Sequence, residues 1–147
     1  MSSPESVLIA LGSNLGDRRR NLLRAIEEIL RVMTVVRLST IHETEPVDAP
    51  ALSPRFLNMV IAGHTTLTPE QLLSRLRDIE QRLGRVRGAR NAPRTIDLDL
   101  ILHGANLRNT SELTLPHPRY RERDFVMKPL RELRLGWKDP LTGELLS

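Results

Sequence analysis

Thr95 to Leu102 reads Thr-Ile-Asp-Leu-Asp-Leu-Ile-Leu, and no other stretch of the chain restricts the fold as strongly. Side chains alternate faces along a strand, so Ile96, Leu98 and Leu100 share one face while Asp97 and Asp99 share the other, their backbones about 7 Å apart. The apolar face demands a covering layer. The aspartate face demands water or a cation, because neighbouring carboxylates repel. Aspartate is also a poor strand former, so two of them in the most apolar strand call for a reason. Taken alone, an Asp-x-Asp is a weak motif, and a solvated strand face accounts for it better than a ligand site does.

The elements around this strand follow from periodicity. Residues 7–12, VLIALG, form a short apolar run ended by Gly12 and read as a buried strand. Asp17 is placed to cap a helix whose stripe is Leu22, Ile26, Ile29, Leu30 and Met33. Val35 to Thr44 is extended and rich in β-branched residues. Residues 45–55 hold three prolines and read as a loop. Phe56 to Leu67 returns to strand, with Leu57, Met59 and Ile61 alternating against Asn58 and Val60. Thr68, Pro69 and Glu70 open a second helix with the stripe Leu72, Leu76, Ile79 and Leu83, and Gly84 ends it. Leu113 to Leu115 reads as a further strand and Phe125 to Leu135 as a last short helix. Strand, helix, strand, strand, helix, strand is the split βαβ order. It predicts an α+β fold: a ferredoxin-like antiparallel sheet with two helices on one face, one domain over residues 1–147. Many functions share that fold, so it decides no chemistry.

Charge narrows the reading. The net charge is +4. The stretch Gly84 to Arg94, GRVRGARNAPR, carries four arginines and no acid, and the rest of the chain is formally neutral. A focused basic segment suits a loop that grips a compact polyanion better than a surface that tracks nucleic acid. It feeds directly into the aspartate strand, and magnesium-bound polyphosphate requires that meeting of cations and carboxylates. A second candidate phosphate loop is LPHPRYRERDF, where His117 lies between two prolines and three arginines follow at alternating positions. Cysteine is absent, which excludes disulfides and thiolate metal sites. No apolar run approaches the ~18 residues of a membrane span, and MSSPES does not read as a secretory signal, so the expected setting is cytoplasmic.

RNAPRTIDLDLIL, together with ALGSNLGD, RFLNMV and LPHPRYRERDFV in that order, resembles the 6-hydroxymethyl-7,8-dihydropterin pyrophosphokinases of folate biosynthesis from about Val7 to Leu133. The resemblance implies an ATP- and magnesium-dependent enzyme that moves the pyrophosphoryl group of ATP onto a pterin hydroxymethyl oxygen and releases AMP. It implies that Asp97 and Asp99 are catalytic and hold two Mg2+ ions, with Arg85 and Arg94 acting on the phosphates. On the ATP side it implies Leu73, Glu80, Arg87, Arg90, Leu100, Thr114, His117 and Arg123, with Arg87 and Arg90 in a closing loop. On the pterin side it implies Thr44, Pro46, Val47, Phe56, Asn58, Asp97 and Phe125. The residues agree in chemistry: Phe56 and Phe125 are two of only four aromatics, and a flat heterocycle needs stacking partners. Asn58 offers a donor and an acceptor to an aminopyrimidinone edge. The partners implied are these two small molecules, with no nucleic acid, no membrane and a monomeric chain.

Three positions depart from the family pattern. Asn91 stands where some relatives carry an aromatic in the closing loop, Glu112 where a basic residue can assist nucleotide binding, and Arg77 where a neutral polar residue can occur. The ALGSNLGD turn lacks the G-x-x-x-x-G-K-[ST] pattern of a phosphate loop, so it is read as a strand-to-helix junction without a catalytic role. A two-metal nucleotidyltransferase would need a third carboxylate and an extended basic groove. A single-stranded RNA module would need strand aromatics, and Thr95 to Leu102 has none.

Overall fold

The computed structural model describes residues 3–45, 54–84 and 95–146. The strands are β1 (Glu5–Ser13), β2 (Thr34–Leu38), β3 (His42–Thr44), β4 (Phe56–Thr65), β5 (Asp97–His103), β6 (Arg108–Asn109) and β7 (Thr114–Leu115). The helices are α1 (Arg18–Ile29), α2 (Pro69–Arg82) and α3 (Asp124–Glu132), with a short 3-10 turn at Tyr120–Glu122.

The main sheet runs β2-β4-β1-β5, with β3 also paired to β4, and every pairing is antiparallel. β6 and β7 form a separate ribbon. Both faces of β1 are buried, which is why its sequence is a continuous apolar run rather than an alternating one. On one face Val7, Ile9 and Leu11 join Met59, Ile61, Leu98 and Leu100 beneath Leu22, Ala25 and Ile29 of α1 and Leu72, Leu76 and Ile79 of α2. On the other, Leu8, Ala10, Val60, Ala62, Ile101 and Leu102 meet Val126, Met127 and Leu130 of α3.

The helix starts follow local chemistry. The Asp17 side chain accepts from the Arg20 N–H at 3.2 Å. Thr68 and Gln71 form a reciprocal capping box at the start of α2, with Pro69 in the first turn. Gly84 takes φ +92° just past α2, a conformation glycine adopts without a Cβ clash.

Several expectations change. The sheet carries helices on both faces, because α3 covers the side left open by α1 and α2. Leu30 does not join the buried stripe: α1 ends at Ile29 and Leu30 is 56% exposed, while Met33 folds back into the core after the turn. Asn58 and Val60, expected opposite the buried set of their strand, are themselves buried on the second face. The extended region Val35 to Thr44 is divided into β2 and β3, and β6 was not foreseen.

Candidate active site

α3 covers only part of its face of the sheet, and the rest is the floor of a cavity of about 930 Å³. Antiparallel register sets residues side by side across that floor. Gly12 on the central strand pairs with Asn58 of β4 on one side and Asp97 of β5 on the other. One step along the same face, Ala10 lies between Val60 and Asp99. Thr44 is opposite Phe56 in the β3–β4 ladder. The Asn58 carboxamide Nδ2 donates to Thr44 Oγ1, tying β3 to β4 beneath the cavity.

Phe125 supplies a further wall from the first turn of α3. The Arg123 guanidinium stands 5.6 Å from its ring centroid, a cation–π geometry that holds both side chains at the rim. Phe56 and Phe125 therefore border the same cavity as Asn58 and Thr44. A planar heterocycle with hydrogen-bonding edges fits such walls.

The cavity continues around the free edge of β5. Here α2 contributes Leu73, Arg77 and Glu80, and the β6–β7 connection with the first residue of β7 contributes Thr110 to Thr114. Glu80 is only 5% exposed, and its Oε2 accepts the Leu98 N–H at 2.8 Å. That peptide lies between the two aspartates, so α2 satisfies a donor on the edge of β5 that no strand reaches among the described residues. The His117 N–H donates to the Ile101 carbonyl at 2.9 Å, holding its segment against the same strand. Burial drives the His117 imidazole down to about 4 from the ordinary 6.5; the Arg123 charge adds to the fall and Asp97 opposes it. His117 thus faces the cavity as a neutral ring near pH 7, able to donate from one nitrogen and accept at the other.

Of the residues singled out from sequence, Thr44, Phe56, Asn58, Leu73, Glu80, Asp97, Asp99, Leu100, Thr114, His117, Arg123 and Phe125 all line this one cavity. Arg85, Arg87, Arg90, Arg94, Pro46 and Val47, and the divergent Asn91, lie outside the described residues. The other two divergent positions, Arg77 and Glu112, are in the wall. Sequence reasoning passed over Ala10, Gly12 and Glu122. Glu122 sits in the second candidate phosphate loop, and Ala10 and Gly12 open the ALGSNLGD motif, which was read as a strand-to-helix junction until the register placed both in the floor.

Residues 8–135 match the family described as 7,8-dihydro-6-hydroxymethylpterin-pyrophosphokinase (HPPK). A Bacillus subtilis protein named 2-amino-4-hydroxy-6-hydroxymethyldihydropteridine pyrophosphokinase is 43% identical over 127 residues, covering 85% of this chain and 75% of that protein. The Folic acid synthesis protein fol1 of Pneumocystis carinii is 43% identical over 143 residues, 95% of this chain and 19% of its own. A Folate synthesis bifunctional protein of Arabidopsis thaliana is 44% identical over 141 residues, 92% of this chain and 28% of its own. The chain therefore spans only 19% to 28% of the fungal and plant relatives and 75% of the bacterial one. Among solved structures, Plasmodium falciparum HPPK-DHPS with pteroate shares the fold at a TM-score of 0.76 and 12% identity, across 99% of this chain and 42% of that one. With the family match spanning most of its length and the bacterial relative largely covered, the chain belongs to the HPPK family.

Proposed function

We propose that this protein transfers the pyrophosphoryl group of ATP to the hydroxymethyl group of 6-hydroxymethyl-7,8-dihydropterin, releasing AMP, in folate biosynthesis. One observation carries the reading. Asp97 and Asp99 line the same cavity as Phe56, Asn58 and Phe125 over the sheet and as Leu73, Glu80 and Thr114 around the edge of β5. The volume, about 930 Å³, is near the upper end of the range for a single ligand and accommodates two small ones.

In this reading Phe56 and Phe125 hold the pterin ring, and Asn58 and Thr44 read its edge. Leu73, Leu100, Glu80 and Thr114 border the nucleotide, with His117 and Arg123 toward its phosphates. The hydroxymethyl oxygen attacks the β-phosphorus of ATP. The bond from that phosphorus to the α,β-bridging oxygen breaks, AMP leaves with the electron pair, and the hydroxyl proton passes to solvent. Holding both substrates in line is the main contribution of the chain's own residues.

Magnesium fits the donor set. Among the described lining residues Glu45, Glu80, Asp97, Asp99, Glu112, Glu122 and Asp124 face only Arg77, Arg119 and Arg123. A polyphosphate entering such a wall requires added positive charge. Paired carboxylates at Asp97 and Asp99 match magnesium, which takes one or two of them and completes its shell with water and phosphate oxygen. Two ions held by this pair would offset phosphate charge and make the hydroxyl more acidic. Arg85, Arg87, Arg90 and Arg94 supply further positive charge in this proposal.

The strand order β2-β4-β1-β5 with α1 and α2 on one face supports a ferredoxin-like assignment. A monomeric, cytoplasmic enzyme, with one pyrophosphokinase domain in this chain, completes the reading. The test is an incubation with ATP, magnesium and the hydroxymethyl dihydropterin. AMP release that depends on the pterin is expected; ADP formation, or AMP release without pterin, would overturn the proposal.

A further inference from the structure

The end of β1, in the ALGSNLGD turn, takes no part in the proposed chemistry, yet Gly12 occupies the middle of the cavity floor. We infer that Gly12 is a positioning residue for ring recognition: its missing side chain lets the Asn58 carboxamide lean across β1 toward Asp97, beside the Phe56 ring. The inference rests on the pterin pocket proposed above.

Backbone conformation does not explain this glycine. Gly12 is absent from the positive-φ residues and lies in a regular strand, where glycine weakens the element and leaves nothing to pack. Space does explain it. A Cβ at this position would stand 2.9 Å from Asn58 Oδ1, and 3.4 and 3.7 Å from two Phe56 ring carbons. The first contact is closer than real Cβ atoms come, and the atom in the way is the end of a side chain rather than backbone. Asn58 is 6% exposed, and its Nδ2 is held by Thr44 Oγ1, which directs Oδ1 over Gly12. Held there, Oδ1 is available as an acceptor for an N–H of a flat heterocycle. Among the described lining residues Gly12 alone lacks a side chain. A methyl group here swings the carboxamide off Thr44, while the Phe56 ring at 3.4 Å stays in ordinary contact and the recess around β5 is left alone.

Calorimetric titration of the full chain with the hydroxymethyl dihydropterin, and separately with a non-hydrolysable ATP analogue and magnesium, tests this. Gly12→Ala should raise the pterin Kd ~10-fold or more and change the ATP-analogue Kd by no more than about twofold. A double-mutant cycle separates positioning from general damage. In an Asn58→Ala background the obstructing oxygen is gone, so adding Gly12→Ala should cost less than about threefold further in pterin Kd. That comparison also serves if Gly12→Ala alone does not fold. Unchanged pterin binding in Gly12→Ala, equal losses for both ligands, or fold-changes that simply multiply in the double variant would overturn the inference. A wild-type chain that binds no pterin would instead remove the pocket reading beneath it.

Discussion

Asp97 and Asp99 are the residues on which the proposed chemistry turns, and Asp97→Asn and Asp99→Asn keep their shape while removing their charge. Each should lower turnover at least ~10³-fold, about 4 kcal/mol of barrier, with little change in cooperative unfolding. Steady-state kinetics on purified variants checks this, and near-normal turnover in either would detach the pair from the reaction. His117 supplies a second, pH-dependent prediction. The unfolded chain takes up this proton near 6.5, the folded one only near about 4. Its contribution to stability is therefore complete above about 6.5 and lost as pH falls toward 4. Melting temperatures of the ligand-free protein from pH 7 to 4.5 should fall less in His117→Gln than in the wild type. At this scale the sequence was informative wherever chemistry is unusual for its setting. Two aspartates in an apolar strand and two of the few aromatics announced themselves. Gly12 and Ala10 did not, because a small residue acquires meaning only when register shows what leans over it.

Among the elements, α2 holds one side of the cavity, and its start is fixed by the Thr68–Gln71 box. Thr68→Ala should cost ~1 kcal/mol in urea unfolding, with both the box and a cap acceptor lost. An unchanged midpoint would show that packing of Leu72, Leu76 and Ile79 alone sets the helix. The cap and the stripe of α2 were legible because each rests on local physics. The placement of α3 was not. Its apolar stripe says which side of the helix is buried but not which face of the sheet it meets, and that choice shapes the cavity. β6 and β7, two residues each, are too short for any period to register. β3 escaped because the change of course between β2 and β3 spans only Ser39 to Ile41.

For the whole molecule, a four-strand path covered on both sides leaves part of one face open, and the free edge of β5 joins that opening to a second recess. The two substrates of the proposed reaction thus meet at the carboxylates, and the central claim is that two phosphorus atoms pass between them as a unit. Phosphorus NMR of the products formed from ATP, magnesium and the hydroxymethyl dihydropterin tests that claim directly. The account predicts AMP and a pterin ester bearing two mutually coupled phosphorus atoms, in equal amounts. A pterin ester with a single phosphorus, accompanied by ADP, would contradict it.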